Sequence, residues 1–312
     1  MRRLAQALVV IVIVSMLVFI LMRVVPGDPL YVYLGDDISF LTAKDIEAVR
    51  HELGLDKSLA MQYVDWMQDM LHGDFGYSIR RTRRAVMDMI TERVPVTFHL
   101  GLLAFLISFI GIPMGVVAAV KRAKWWDTIV TVAANIGIAM PSFWLGILLM
   151  YAVGLKLKLL PLYGYTSPFI DFSMSTRQII MPVFVLASTG IAASARQTRS
   201  AMLEVIHQDY TRTAWSKGLR ERTVVIRHVL KNGLLPVITL KGMTFRNLLG
   251  GSVLVETVFN IPGMGRLAAE AVIAKDYLVV QAVILLIAVA VVLGNLLTDL
   301  VQGWLDPRIR FQ

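Results

Sequence analysis

The sequence predicts an all-α, polytopic membrane protein of six transmembrane helices, with both termini on the cytoplasmic side. Three observations lead there. Hydrophobic residues make up 56% of the 312-residue chain and charged residues only 17%, whereas soluble domains carry about a quarter charged. Several apolar runs reach ~18 residues or more, the length a helix needs to cross hydrocarbon, and they are continuous rather than alternating as in a β-barrel. Lys and Arg collect in alternate connections between the runs, the charge asymmetry of cytoplasmic loops.

The first run, 4–25, follows Arg2 and Arg3 and stops at Pro26-Gly27-Asp28-Pro29. It is longer than a signal-peptide core and lacks a small-residue cleavage site, so residues 1–25 are read as an uncleaved signal-anchor helix. Residues 26–96 form a long outside segment. Ala43–Leu53 and Leu59–Leu71 have helical spacing, and Gly54, Gly73 and Gly76 punctuate them. Leu53, Leu55, Leu59, Trp66 and Leu71 make the segment too apolar for a disordered linker, and a small helical cap is expected. Five more spans follow at about 97–120, 128–155, 179–195, 234–256 and 278–303, giving a core over 97–303 and a cytoplasmic tail over 304–312. The fourth span is short. Pro141 and Gly146 predict a kink in the third, since proline removes a backbone donor and crowds the preceding turn. Ile261-Pro262-Gly263-Met264-Gly265 reads as a turn cluster, followed by an amphipathic stretch to Asp276.

Orientation follows from the short loops. One side carries Arg2 and Arg3; Lys121, Arg122 and Lys124; eight Lys/Arg between Arg196 and Gly233; and Arg308 and Arg310. The other side's short loops carry only Lys156, Lys158, Arg177, Arg266 and Lys275. The richer side is cytoplasmic. The net charge of +9 is thus a topology signal, and no nucleic-acid-binding motif accompanies it.

Catalytic patterns are lacking. The chain has no cysteine, hence no disulfide and no thiolate chemistry. Gly-Lys never occurs, so there is no Walker phosphate loop. Its five histidines show no metal-ligand spacing, and the only deep acids, Glu256 and Asp299, lie near span ends. Gly250-Gly251-Ser252 reads as a close-packing surface between helices. Three cations fall inside spans: Arg23, Lys241 and Arg246. Lys241 is expected to snorkel toward the inner leaflet. Arg246 lies about 18 Å into the fifth span, where a charge costs at least ~2.5 kcal/mol. It either faces a water-filled path or an acid, or snorkels with local thinning of the bilayer, and Arg246, Asn247 and Glu256 are the candidate path residues.

The most basic stretch is the loop from Asp209 to Pro236, within the polar segment 196–233. It reads as two short helices broken at Gly218, with Asp209 as N-cap and Gly218 as a left-handed stop. Tyr210 and Ala214, Val225 and Val229, and Ile226 and Leu230 recur at helical spacing. Binding of anionic lipid would explain the charge, whereas a protein partner explains both the charge and the apolar spacing.

At this loop the sequence resembles the inner-membrane permeases of ATP-binding-cassette importers, whose hallmark is an EAA-type loop. Arg212-Thr213-Ala214 occupy the three signature positions, Gly218 is the glycine and Leu235-Pro236 close the motif. Tyr210, Arg212, Thr213, Ala214, Lys217 and Gly218 match the peptide and nickel branch. So do Pro26-Gly27-Asp28-Pro29, Leu53-Gly54-Leu55-Asp56, Gly73-Asp74-Phe75-Gly76-Tyr77-Ser78, Pro262-Gly263-Met264-Gly265 and Leu305-Asp306-Pro307-Arg308. The departures are Leu278 where Pro is usual, Gly233 where Ala is common, and Lys241 and Arg246 at positions usually apolar or small. The resemblance implies a type I importer permease fold in a bacterial or archaeal cell membrane. It implies a homologous second permease and two cytoplasmic ATPases that bind ATP and Mg, this chain itself holding no cofactor. It also implies an outside solute-binding protein and a coupling role for Asp209, Tyr210, Arg212, Thr213, Ala214, Lys217 and Gly218.

Overall fold

The least hydrophobic of the long helices lies at the centre. The computed structural model describes residues 2–24, 43–52, 54–78, 84–249 and 253–305. Apart from a bridge between Tyr77 and Ala85, its regular structure among the described residues is helical. The elements are α1 (Arg2–Val24), α2 (Ala43–Glu52), α3 (Leu59–Leu71), α4 (Val86–Ser108), α5 (Gly111–Val120), α6 (Trp125–Ala139), α7 (Ser142–Lys156) and α8 (Phe172–Ile206). They continue as α9 (Asp209–Ser216), α10 (Glu221–Gly233), α11 (Leu235–Leu249), α12 (Val253–Val258), α13 (Met264–Ala274) and α14 (Tyr277–Leu305).

The central helix is α8. Its 35 residues span about 52 Å, far beyond the expected 179–195. Of its most apolar stretch 56% is buried, against 17% in α1. Ser175, Gly190, Ser194 and Thr198 are among its buried residues. A helix surrounded by protein has no need of the hydropathy of one surrounded by lipid, and small residues let its neighbours approach closely. Hydropathy therefore saw only its middle.

Helix α5 uses that closeness. A Cβ on Gly115 would stand 2.5 Å from the Ala195 carbonyl oxygen, and one on Gly111 would collide with the Ile191 carbonyl. The two glycines, four apart, form one contact strip on α8. Gly115→Leu is expected to cost about 3 kcal/mol by overpacking. The check is a lowered thermal unfolding midpoint in detergent, and an unchanged midpoint would remove the strip from the list of stabilising contacts.

Three other spans differ from expectation. The second begins at Val86 rather than 97, because α4 carries Asp88, Glu92, Arg93 and Pro95 within its first half. The third is two helices, α6 and α7, bent by 107°. Met140 is extended (ψ 123°) and Pro141 opens α7. A residue before proline is driven out of the helical region, so the expected kink becomes a corner. The fifth is entered through a bend: α10 meets α11 at 52°, with α11 described to Leu249 and α12 from Val253. Gly250-Gly251-Ser252 lies outside the described residues, as do Pro26–Pro29 and the C-terminal motif after Leu305.

Lys241 does not snorkel. It is 4% exposed, and its Nζ donates to the Ser108 carbonyl at 2.6 Å and to Ser108 Oγ at 2.7 Å. The cause is the break between α4 and α5. Ile112 N–H bonds Phe109 O, three residues back, rather than Ser108 O, and the ammonium takes the carbonyl instead. The Phe109 ring faces Nζ at 4.6 Å, adding a cation–π contact.

Helix α1 packs along α14, with Arg3 3.3 Å from Asp299. On its other half, Ser15 Oγ shares a 2.8 Å hydrogen bond with Tyr63 of α3, and Arg23 donates to Gln62 Oε1 from Nε and Nη2. Helix α3 thus lies against α1, and the described chain that follows it turns elsewhere. That chain reaches α14, where Ser78 Oγ donates to Asp276 Oδ2 at 2.6 Å in a buried contact, and Leu278 sits against Gly76.

Candidate functional site

Two places bring polar groups together. The first is the turn of chain that hangs from the C-terminal end of α8. Helix α9 is a single amphipathic unit. Thr211 and Ala214 are its buried residues. Thr211 Oγ1 donates to the Val205 carbonyl at 3.0 Å, fixing α9 against the last turn of α8. Ala214 joins Met202, Val224, Val225, Val229 and Ala119 in one apolar cluster, so α5, α8, α9 and α10 share a small core of their own. Burying that cluster holds a helix of only eight residues, which would not persist alone.

The opposite face of α9 is open. Asp209, Tyr210, Arg212, Thr213, Trp215, Lys217 and Gly218 are all exposed, with Trp215 at 39% and Tyr210 at 44%. An exposed Trp and Tyr beside Arg and Lys are the residue types that anchor protein interfaces. Gly218 has φ +73° and closes the helix, its N–H on the Trp215 carbonyl at 2.8 Å. The left-handed stop is therefore where the sequence places it. Two local expectations are corrected. Asp209 is the first helical residue, and the N-cap position belongs to Gln208, which has extended backbone and no side-chain cap bond. Tyr210 does not share the buried face with Ala214: its hydroxyl accepts from Asn232 Nδ2 at 3.1 Å in an exposed contact. Aromatic spacing alone does not separate a core residue from an interfacial one.

Beside this unit lies a pair that sequence reasoning missed. Arg199 of α8 donates to both carboxylate oxygens of Asp127, at 2.6 and 2.9 Å. Asp127, 6% exposed, also accepts from Ala123 N–H at 3.0 Å. The fork pins the turn between α5 and α6 to α8. Nothing in the sequence announces it, because the partners are 72 positions apart.

The second place is at the outer end, around Glu256. This residue is 2% exposed. Its Oε1 accepts from Thr97 Oγ1 at 2.9 Å and its Oε2 from Arg266 N–H at 2.9 Å, while Thr97 Oγ1 accepts from Met264 N–H at 2.8 Å. Glu256 and Thr97 together satisfy the first turn of α13, where unpaired donors and the helix dipole favour negative charge. Gly263 leaves the space: a Cβ there would strike the carboxylate. The clustered glycines of residues 261–265 hinted at a close approach, but nothing hinted at Thr97. Arg246 and Asn247 lie in α11; their side chains are outside the described residues. In this conformation the Glu256 carboxylate is committed to protein donors.

The comparisons with known proteins agree with this architecture. Residues 111–311 match the family described as binding-protein-dependent transport system inner membrane component, and residues 1–101 match its N-terminal companion family. A protein of Brucella abortus (strain 2308) named as a peptide transport system permease is 42% identical over all of this chain and 98% of its own length. The oligopeptide transport system permease protein AppB of Bacillus subtilis (strain 168) is 37% identical over 99% of this chain and 98% of its own. Among solved structures, the inward-facing MetNI methionine ABC transporter superposes with a TM-score of 0.58 at 19% identity, covering 70% of this chain and 97% of that one. The last likeness establishes the type I importer permease fold. The chain thus belongs to the binding-protein-dependent transport system inner membrane component family, as a multi-helix membrane subunit of an ATP-binding-cassette importer.

Proposed function

We propose that this chain forms half of the translocation path of a peptide importer and is driven through α9. The observation that carries the proposal is the division of α9 into a face seated on the chain's own core and a free face of Tyr210, Arg212, Trp215 and Lys217. In this reading a cytoplasmic ATPase receives the free face in a groove, and a homologous permease presents an equivalent helix to a second ATPase. ATP and Mg are bound by those partners. ATP binding favours the closed ATPase pair, and the equilibrium moves only by the difference in ATP affinity between the two states. Displacement of α9 is passed to α8 through the Thr211 and Ala214 contacts, and α8 runs the depth of the subunit. A solute-binding protein delivers cargo at the outer face, near the segment that lies on α1 and α14. The names of the relatives support peptide as cargo, and Arg246, Asn247 and Glu256 remain the proposed path residues.

The absence of cysteine makes a clean test available. Ser216→Cys, on the free face, is expected to cross-link to a single-cysteine ATPase groove in the assembled importer, with the yield changing when ATP is added. A cysteine at Thr211, on the seated face, is expected not to. Equal cross-linking of both, or of neither, would reject the docking assignment.

A further inference from the structure

The turn between α5 and α6 carries a second surface that the coupling reading does not use. Lys121, Arg122 and Lys124 are exposed and are followed by Trp125 and Trp126. These two rings stack at 3.8 Å between centroids, and the residues are 60% and 45% exposed. A stacked Trp pair left outside the core requires an amphipathic surrounding, which for a membrane subunit is the headgroup region. The stripe continues into the bilayer. Ile129, Val132 and Ile136, 52%, 50% and 52% exposed, follow Trp125 at helical spacing on the same face. Val130 and Ala134 turn the other way, into a cluster with Ala192 and Ala195 of α8.

The backbone of the turn is fixed, and among the described residues its cations form no ion pair with a carboxylate. Ala123 adopts φ +62°, and Lys124 N–H bonds the Lys121 carbonyl at 3.0 Å. The neighbouring acid, Asp127, is consumed by the Arg199 fork and by Ala123 N–H. Arg122 Nη1 stands 3.4 Å from His207 Nε2, a contact that supplies no negative charge. Exposed cations, then stacked Trp rings, then an apolar stripe repeat in order the phosphate, glycerol and acyl parts of a phospholipid.

We propose that this surface binds an anionic phospholipid of the cytoplasmic leaflet. Lys121, Arg122 and Lys124 face the headgroup, Trp125 and Trp126 the glycerol level, and Ile129, Val132 and Ile136 an acyl chain. Charge complementarity and the continuity of the apolar face favour lipid over a soluble subunit, whose contact would end at the membrane surface.

The test uses the full chain in its assembled complex, reconstituted with phosphatidylglycerol or phosphatidylcholine brominated on the acyl chains. Brominated phosphatidylglycerol is expected to quench tryptophan fluorescence more strongly than the zwitterionic lipid. That difference should vanish in Trp125→Phe/Trp126→Phe. Lys121→Gln/Arg122→Gln/Lys124→Gln should weaken the preference for phosphatidylglycerol on the order of a hundredfold, taking roughly a fivefold contribution from each of the three surface cations. Removing two charges instead at Arg220 and Arg222, exposed between α9 and α10 and at the start of α10, should leave it intact. The proposal is overturned if the difference survives in the Trp variant, if the triple variant keeps its preference, or if the Arg220/Arg222 control loses it equally. Absence of any lipid difference in the unmutated complex overturns it too, and would mark the face as covered by protein. That last arm needs no variant to fold.

Discussion

Glu256→Ala is expected to lower stability by about 3 kcal/mol or more, among the largest effects of any single substitution at the outer end. The carboxylate accepts from Thr97 Oγ1 and from Arg266 N–H, with Gly265 N–H also directed to it. Alanine leaves these donors without an acceptor in a site that is 2% exposed. Each unsatisfied buried group costs about 1–3 kcal/mol. Thr97 suffers twice, since its oxygen also accepts Met264 N–H and loses the bond that orients it. Glu256→Gln keeps the shape but turns two hydrogen-bonding protons toward existing donors, so it should fall between wild type and alanine. Thr97→Val combined with Glu256→Gln should cost less than the sum of the two, because the residues act as one network. Thermal unfolding in detergent measures all of these. An unchanged midpoint for Glu256→Ala would mean that the carboxylate does not hold α13. The functional consequence is specific: α12 and α13 join the fifth span to the sixth, so loosening them should impair transport even where the cytoplasmic unit remains seated.

The difference between what the sequence announced and what it hid follows from the range of the forces involved. Lipid-facing helices were legible because burial in hydrocarbon demands continuous apolar runs: α1 and α14 appear nearly where hydropathy puts them. Local backbone chemistry was legible too. Gly218 forms the left-handed stop, and Pro141 marks the corner between α6 and α7, though the bend of 107° exceeds a kink. The central helix was under-read because it meets protein, and Ser194 and Thr198 could replace Leu without loss of burial. Buried polar pairs were illegible. Lys241 with Ser108, Asp127 with Arg199, and Glu256 with Thr97 each join residues that no spacing rule connects. Their existence could be inferred from the cost of an unpaired charge in the membrane, but their partners could not. At α9 the short-range pattern located the helix and missed its rotation, since Tyr210 is as compatible with a wet interface as with a core.

That rotation makes the second large effect predictable in kind. Ala214→Glu should abolish ATPase association by dislodging α9, whereas Trp215→Ala should weaken association and leave α9 seated. Ala214 is 5% exposed and packed with Met202, Val225 and Val229. A glutamate there brings a charge into an apolar cluster with no cationic partner on the same face, and burying an unpaired charge costs several kcal/mol. The eight-residue helix cannot absorb that cost, so it leaves the cluster, and Thr211 loses its bond to Val205. Trp215 contributes no residue to the cluster, and removing it subtracts only what a partner would have covered. An interfacial Trp that acts as an anchor is worth about 2 kcal/mol or more, which is roughly a thirtyfold loss of affinity. Limited proteolysis at Lys217 and Arg220 separates the two cases. Ala214→Glu should be cut much faster than wild type with no ATPase present, and Trp215→Ala should be cut at the wild-type rate. If Ala214→Glu resists the protease and still co-purifies with the ATPases, then the seated face does not hold α9, and the route from α9 to α8 is not the one through which the importer is driven.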